Sequence, residues 1–377
     1  MKRSQRILSS RPPSRDPGSL PVTLDSGFRR NDKRIPLGFR VPAEWEPHEA
    51  TWLTWPKDPV TWPDRVPQAE EIFLQMITAL APHETVNLLV DDVKVEENVS
   101  KRLRARSANL ESVKFHHIKT VDSWIRDYGP VFIVASRGKK KELAYTHWIF
   151  NAWGGKYEDL ARDRVIPEKL EPVLKLKRFF TEIVLEGGSI DVNGAGTLMT
   201  TEQCLLTLTR NPHMSKKDIE KALSDYLGVR HVIWLGEGIV GDDTDGHVDD
   251  IARFVGPRTV LCALEDDTRD PNFKPLKENF TRLKSAVDQD GKKLEVIPFP
   301  MPGPVIGSEG RLPASYANFY IANNVVLAPI FGHRNDKTAI SVLKEIFPKR
   351  QIIGIHCEPL VWGLGAIHCV TQQQPAI

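Results

Sequence analysis

The chain has 377 residues, of which 41% are apolar and 27% charged, the balance of a globular protein with room for one large core or two smaller ones. No apolar run approaches the roughly 20 residues that a membrane-spanning helix needs, so we expect no membrane partner. The formal net charge of +2 hides an asymmetry, because residues 1–40 carry ten Lys or Arg against three Asp or Glu. The mildly acidic remainder argues against nucleic acid and favours a cationic ligand.

Residues 1–37 combine Arg, Ser, Pro and Gly with few apolar residues and no regular period, so we expect this segment to be disordered. A targeting peptide is one alternative, and a start of translation near Leu37 or Val41 is another. We expect a single catalytic domain over residues 38–377. The chain has four widely spaced cysteines, which without a secretory leader predict reduced thiols and a cytoplasmic location.

Short strands and helices alternate from residue 39 onward. An alternating pattern predicts a strand at Thr51–Pro56, and a helical period predicts a helix over Glu70–Leu80. Similar patterns predict further elements: strands at 86–90, 113–118 and 325–328, a strand pair within 251–264, and helices within 93–106, 272–290 and 337–347. This alternation is typical of an α/β fold.

The first chemically unusual stretch is Asp122–Pro130, in which two carboxylates and Arg126 stand between Trp124 and Tyr128. Buried charges are unfavourable unless they are paired or bind something, so we expect these charged groups to do one or the other. The structural alternative is an ion pair between Arg126 and an Asp that fixes a loop. The aromatic loop at 147–155 that follows fits a core or a pocket wall equally well.

Two further stretches concentrate acids beside glycines. Glu186 ends an apolar strand just before a double glycine, which suggests tight packing around a buried carboxylate rather than an exposed strand edge. Within 241–250, His247 and Asp249 are two residues apart, so on an extended segment both side chains would point the same way and serve one substrate. A calcium loop is the rival for this run, but the closing Glu of that pattern is missing.

The C-terminal stretch 363–377 places Gly363 and Gly365 shortly before Cys369. Glycines that allow close backbone approach, followed by a cysteine, suggest a nucleophile at a pocket wall, and a buried apolar filler is the alternative. Ile-His-Cys occurs twice, at 355–357 and 367–369. Zinc binding by both pairs is weakly supported, because adjacent residues on a strand face opposite ways.

Together these stretches resemble the agmatine deiminase family of the guanidine-modifying pentein superfamily. The resemblance runs from about Pro42 to the C-terminus, and five motifs in the family's order carry it: Trp124–Pro130, Glu186–Gly188, Gly246–Asp249, Ala314–Tyr320 and Gly365–Cys369. It implies an α/β fold closed as a five-bladed propeller around a narrow acidic channel, with no metal and no cofactor. It also implies a possible homodimer.

The resemblance assigns roles position by position. Cys369 matches the nucleophile, His247 the general acid/base, and Asp127 with Asp249 the carboxylates that bind the guanidinium. Glu186 matches the acid that orients the histidine, and Trp124 and Asn318 would line the pocket.

These residue types suit the chemistry, since bidentate carboxylates grip N–H edges and a thiolate can attack the central carbon. A protonated His247 beside the cationic substrate would favour that thiolate.

The expected reaction is hydrolysis of agmatine to N-carbamoylputrescine and ammonia through a covalent thiouronium adduct, a step toward putrescine in polyamine biosynthesis. Residues 150–155 lack the arginines with which related peptidyl-arginine deiminases hold a substrate carboxylate, which favours agmatine. Leu364 stands where a third glycine is frequent in the family. The alternatives are a deiminase of peptidyl or free arginine or another small guanidine, a propeller that binds cations without turnover, and a zinc-binding module.

Overall fold

The computed structural model describes residues 35–138 and 140–377, and the strands of this part form five sheets. Numbered in chain order, the strands are β1 Phe39–Arg40, β2 His48–Thr54, β3 Thr85–Val90, β4 Val113–His117, β5 Val131–Arg137, β6 Lys140–Ile149, β7 Lys177–Val184, β8 Asp191–Val192, β9 Thr197–Thr201, β10 His231–Leu235, β11 Ala252–Phe254, β12 Thr259–Leu264, β13 Glu295–Pro300, β14 Tyr320–Ile321, β15 Val325–Ile330, β16 Gln351–His356 and β17 Gln372–Pro375.

The helices lie between the strands. In chain order they are α1 Val66–Leu80, α2 Val93–Ala105, α3 Ile125–Tyr128, α4 Ala152–Gly155, α5 Ile166–Lys169, α6 Glu171–Leu174, α7 Glu202–Leu205, α8 Lys216–Leu227, α9 Phe273–Ser285, α10 Asp336–Ile346 and α11 Glu358–Val361. The longest begins four residues before the predicted Glu70, because Pro67 lies in its first turn, where a missing backbone N–H is tolerated.

One pairing pattern recurs in all five sheets. The strand orders are β17-β2-β3-β4, β1-β5-β6-β7, β8-β9-β10, β11-β12-β13 and β14-β15-β16. In each sheet an antiparallel pair (β17/β2, β5/β6, β8/β9, β11/β12, β14/β15) is extended by a parallel strand reached through helical structure. The five sheets are therefore variants of one β-β-α-β unit, a repeat that is not visible in the residue pattern.

The connections between sheets have equivalent positions. After β4, β7, β10, β13 and β16, the outermost parallel strands, the chain crosses to the next sheet and enters it at β5, β8, β11, β14 or β17. The last crossing returns to the first sheet, where β17 pairs antiparallel with β2, so that Gln372 lies opposite Trp52. Segments that precede the entering strands are therefore placed alike in all five units.

The elements form where local chemistry supports them. Asp92 caps the second helix by accepting hydrogen bonds from the backbone N–H groups of Lys94 and Val95. Ser215 and Asp218 form a reciprocal capping box at the start of α8, which ends at Gly228 with a left-handed φ of 69°. The buried side chains form three apolar clusters, and the largest contains the inner faces of α1, β2, β3 and β15.

The α/β class is confirmed, and closure of the five units as a propeller stays a prediction. The expectation for residues 1–37 falls mostly outside the described residues, although the backbone N–H of Ile35 donates to the carbonyl of Asp225 at 3.1 Å. Over the described ranges, no helix combines the length and apolar character needed to cross a membrane.

Candidate active site

The predicted site residues occupy the five crossings between sheets, and all of them are buried. Each crossing supplies at least one: Asp127 before β5, Glu186 before β8, His247 and Asp249 before β11, Asn318 before β14, and Cys369 before β17. The repeated fold therefore places residues that are far apart in sequence at equivalent positions.

Asn318 links the cysteine to the neighbouring crossing. Its side-chain Nδ2 donates to Cys369 Sγ at 3.0 Å and to Asp250 Oδ1 at 3.0 Å. Its Oδ1 accepts the backbone N–H groups of His368 at 2.8 Å and Cys369 at 3.3 Å. Cys369 Sγ also lies 3.8 Å from Asp249 Oδ2. The thiol is therefore fixed beside a carboxylate by one amide side chain.

Gly188 marks the point where the other candidate groups meet. A Cβ atom at this position would lie 2.6 Å from His247 Nδ1, 2.8 Å from Asp127 Oδ1 and 3.1 Å from Asp249 Oδ2. Contacts below 3.0 Å are essentially never made by a real Cβ. A glycine is required here because three polar side chains occupy the volume that any other residue would fill.

Asp127 is held from two sides by protein donors. Trp153 Nε1 donates to Oδ2 and the backbone N–H of Gly188 donates to Oδ1, both at 2.9 Å. His247 Nδ1 is 3.8 Å from the same Oδ1. Each carboxylate oxygen can accept more than one hydrogen bond, so Asp127 keeps capacity for a further donor.

Three buried polar atoms of the site have no protein partner: His247 Nε2, Asp249 Oδ1 and Glu186 Oε2. Buried polar groups are nearly always hydrogen-bonded, and these three atoms are available to pair with a ligand. One of these atoms is on an imidazole and two are on carboxylates, so the arrangement suits a cationic ligand that donates hydrogen bonds.

The electrostatics of the site are set by burial and by its acids. Burial raises the pKa of Asp127 well above its usual range, and the Asp249 charge adds to this effect. Burial also raises the pKa of Cys369, as do the charges of Asp249, Asp250 and Asp127, so the thiol is neutral at pH 7. Burial lowers the pKa of His247 to about 3, against the opposing effect of Asp249. This lowered pKa favours a neutral His247 at pH 7, whereas the sequence-based expectation concerned a protonated His247 beside the bound substrate.

Glu186 is fully buried and paired with Arg210, whose Nε donates to Glu186 Oε1 at 3.0 Å. Glu186, Cys204 and His247 place potential ligand atoms within 4.8 Å of one another, the one such group among the described residues. The Arg210 guanidinium in contact with the carboxylate opposes a second cation there. Glu186 therefore lies beside His247, and its hydrogen bond goes to Arg210.

The acid-rich run 241–250 is organised by internal hydrogen bonds. Asp242 Oδ2 accepts the backbone N–H groups of Gly246 at 2.9 Å and His247 at 3.1 Å, and Asp245 pairs with Lys156 at 2.6 Å. The prediction of an extended segment is wrong, because residues 248–250 form a 3-10 turn. This turn nevertheless places the side chains of His247 and Asp249 close together, next to Gly188.

Other sequence-based interpretations also change. Arg126 forms an ion pair with Glu44 at 3.5 Å and donates a hydrogen bond to Gln373 at 2.8 Å. The alternative prediction that Arg126 pairs with an Asp is therefore wrong, because its acidic partner is Glu44. The predicted aromatic loop is partly strand, since β6 extends to Ile149. Trp124 is buried against Gly365, where a Cβ would lie 2.5 Å from the indole ring.

The two Ile-His-Cys sequences have different surroundings. His356 is half-exposed beside Glu358, whereas both ring nitrogens of His368 contact buried carboxylates. Cys357 and Cys369 are both buried free thiols, and among the described residues these four side chains form no metal-binding group. Leu364, noted for its departure from the family pattern, has a φ of 69°, in the left-handed region that favours glycine.

Sequence reasoning missed several residues of the site. Arg210 and Glu44 stand in no recognisable motif, and their partners are distant in sequence. His368 was considered only as a zinc ligand. Trp153 lies in the aromatic loop, and its role as a donor to Asp127 could not be separated from packing. The double glycine after Glu186 was the one signal available for Gly188.

A buried thiol, an imidazole and two carboxylates thus lie on the crossings of a repeated α/β fold, an arrangement that suits an enzyme acting on guanidino groups. Residues 40–375 match the model of the Porphyromonas-type peptidyl-arginine deiminase family. The chain belongs to this family.

Similar proteins cover nearly the same range. The agmatine deiminase of Medicago truncatula is 40% identical over 370 residues, which cover 90% of this chain and 97% of that protein. That of Pseudomonas aeruginosa (strain LESB58) is 39% identical over 362 residues, with coverage of 90% and 96%. The structure of the Enterococcus faecalis agmatine deiminase superposes with a TM-score of 0.83 at 35% identity, covering 90% of this chain and 96% of that one.

Proposed function

We propose that this protein hydrolyses agmatine to N-carbamoylputrescine and ammonia, with Cys369 as nucleophile. The observation that carries the proposal is the convergence of His247, Asp127 and Asp249 around Gly188, with the Cys369 thiol 3.8 Å from Asp249. The similarity to agmatine deiminases from a plant and from bacteria supports the same substrate.

The carboxylates of Asp127 and Asp249 bind the guanidinium group of agmatine. Asp249 offers the unpaired Oδ1, and Asp127 offers lone pairs beside its bonds to Trp153 and Gly188. Charge-assisted hydrogen bonds to a planar cation are short and directional, so these oxygens fix the plane of the substrate. The added positive charge also relieves the repulsion between the two acids, which otherwise raises the pKa of Asp127.

Substrate binding activates the thiol. In the free protein Cys369 is a neutral thiol and His247 a neutral imidazole. The bound cation offsets the negative charges that raise the pKa of Cys369, so the thiol proton passes to His247. The thiolate then attacks the central guanidinium carbon, forming the C–S bond.

His247 next gives its proton to one terminal nitrogen, the C–N bond breaks, and ammonia leaves a thiouronium adduct on Cys369. In the second half-reaction neutral His247 takes a proton from water, and the hydroxide attacks the same carbon. The C–S bond breaks, the proton held by His247 returns to sulfur, the hydroxyl proton of the adduct passes to solvent, and the neutral ureido product leaves. Glu186 acts on His247 through its charge.

Selection of agmatine follows from the charged groups near the site. Residues 150–155 offer no cationic side chain, and the nearby cations are already paired, Lys156 with Asp245 and Arg210 with Glu186. A substrate carboxylate therefore lacks a free partner among these groups, whereas a distal ammonium meets an acidic surrounding.

The test is ammonia release from agmatine, free arginine and a peptide with C-terminal arginine, before and after treatment with iodoacetamide. Thiol-sensitive release from agmatine alone is the expected result. Turnover of the peptide or of arginine would move the substrate while keeping the chemistry, and no release from any of the three would refute the proposal. We further propose that the enzyme works in the cytoplasm, in keeping with its four free thiols, and as a homodimer, which sedimentation would test.

A further inference from the structure

His368, the residue before the nucleophile, lies between two buried carboxylates. Its Nδ1 is 2.7 Å from Asp249 Oδ2, and its Nε2 is 2.8 Å from Glu44 Oε2. All three side chains are almost inaccessible to solvent. Nothing in the proposed mechanism uses His368, yet one of its two partners is a carboxylate assigned to substrate binding.

The two contacts determine the protons on the ring. Ionised carboxylates only accept hydrogen bonds, so a ring nitrogen facing one must carry a proton. A neutral imidazole has a single N–H and could satisfy only one of the two acids. Both contacts together therefore require an imidazolium, unless Glu44 or Asp249 is itself protonated.

Glu44 is the less suited to hold that proton. Its Oε1 forms an ion pair with Arg253 Nη2 at 2.8 Å and accepts a hydrogen bond from the backbone N–H of Ile321 at 2.7 Å, and Arg126 lies 3.5 Å from its Oε2. Burial is the largest single effect and raises the pKa of Glu44, but Arg253, His368 and Arg126 together outweigh it, so the pKa lies well below its usual value. Burial likewise raises the pKa of Asp249, and the hydrogen bond and charge of His368 bring it below normal.

The buried groups joined to the ring by ion pairs comprise three acids and three bases. The connected buried groups are Glu44, Asp191 and Asp249 on the acidic side and Arg126, Arg253 and His368 on the basic side. With an imidazolium this network has three charges of each sign. With a neutral ring it would hold an uncompensated buried anion, which is strongly unfavourable.

We propose that His368 is a positioning residue for the deimination reaction: a doubly protonated imidazole that keeps Asp249 ionised, hydrogen-bonds to its Oδ2 and leaves Oδ1, which has no protein partner, for the substrate guanidinium. This inference rests on the proposed role of Asp249 in substrate binding. Asp249 then binds the guanidinium through one oxygen, in place of the bidentate grip expected from the sequence. The second Ile-His-Cys sequence lacks this function because His356 faces solvent.

A double-mutant cycle in the full-length protein tests the coupling. His368→Gln should lower kcat/KM for agmatine by about 10- to 150-fold, the equivalent of one charge-assisted hydrogen bond. In an Asp249→Asn background, His368→Gln should lower kcat/KM by less than about 3-fold, because the carboxylate that His368 acts on is already absent. His356→Gln, the matched change in the other Ile-His-Cys, should leave kcat/KM unchanged. If the fold-losses in kcat/KM of the two single variants multiply in the double variant, the two residues act independently and the proposal is overturned.

The pH profile separates positioning from a merely structural role. Without the imidazolium, Asp249 takes up a proton at higher pH, so the acid limb of kcat/KM should move upward in His368→Gln. The other charged groups that face the ring, Glu44, Arg126 and Arg253, are unchanged in this variant. An unshifted profile with an equal loss at every pH would indicate loss of correctly folded protein and would overturn the positioning role.

Neutron diffraction from the unaltered protein at pH 8 decides the charge state even where the variants fail to fold. A deuteron on both ring nitrogens of His368 is the expected result, and a single one overturns the proposal. Agmatine turnover by the unaltered protein is measured alongside. Its absence would refute the proposed function, whereas turnover with a singly protonated ring would refute only the role of His368.

Discussion

A methyl group added at Gly188 would collide with three candidate functional side chains at once, those of His247, Asp127 and Asp249. In Gly188→Ala the new Cβ would stand 2.6 Å from His247 Nδ1 and 2.8 Å from Asp127 Oδ1. An ordinary contact begins at 3.4 Å, so both groups must retreat by several tenths of an ångström or the glycine backbone must move. Retreat of the side chains changes the spacing of the acid/base and the carboxylates, and a shift of the backbone moves the Gly188 N–H that donates to Asp127.

The magnitude follows from that displacement. Misplacing a reacting group by about 1 Å costs on the order of 100-fold in rate, or about 2.7 kcal/mol of transition-state stabilisation. Overpacking of a buried site costs about 1–3 kcal/mol of stability, which a large domain tolerates. We therefore expect kcat/KM for agmatine to fall about 100-fold in a protein that still folds.

The assay is steady-state ammonia release, with circular dichroism to confirm folding. Gly256→Ala is the matched control, since its Cβ would meet only Thr259 at 3.4 Å or more, and it should have unchanged kinetics. Wild-type kinetics in Gly188→Ala would falsify the geometry on which the site is built.

Four other outcomes are expected. Cys369→Ser should abolish ammonia release while Cys357→Ser has little effect, and the reverse would move the nucleophile. Asp249→Asn should lower kcat/KM by the equivalent of about 2–4 kcal/mol, measured with agmatine, and an unaffected variant would remove Asp249 from the site. Because the raised pKa of Cys369 keeps the thiol protonated, alkylation by iodoacetamide in the absence of substrate should still accelerate between pH 7 and 9.5; a plateau below pH 8 would contradict this. Leu364→Gly should raise the melting temperature or leave it unchanged, because the left-handed φ costs leucine about 1–2 kcal/mol, and a marked fall would show that its packing dominates.

Much of the local structure could be predicted because its causes are local. The apolar period of α1 identified the buried residues Ile72, Phe73, Met76, Ile77 and Leu80, and the bounds of α2 and α10 were predicted to within a residue. These elements are fixed by side-chain periodicity and by caps such as Asp92, which stand in the sequence itself. The exceptions lie where the chain leaves regular structure, as in the turn at 248–250.

The site was predictable in its residue types and not in its connections. Cysteine, histidine and paired acids beside glycines indicated the chemistry, and the resemblance supplied their roles. The bonds that hold them span large sequence separations, since Glu44 and His368 are 324 residues apart and Trp153 donates to Asp127 from 26 residues further along the chain. No local pattern encodes such a partner, because either residue alone has the same appearance in many other contexts.

The recurrence of functional groups on successive crossings affects how the enzyme loses activity. No described sheet carries all of the candidate catalytic groups. The geometry of the site therefore depends on the contacts between neighbouring β-β-α-β units. A small displacement of one unit relative to its neighbour, for instance by separation of β17 from β2, would move a reactive group while most helices and strands stay intact. Under mild denaturant, catalysis should therefore fail before circular dichroism registers a change, and agmatine should protect the enzyme by binding groups from several units at once.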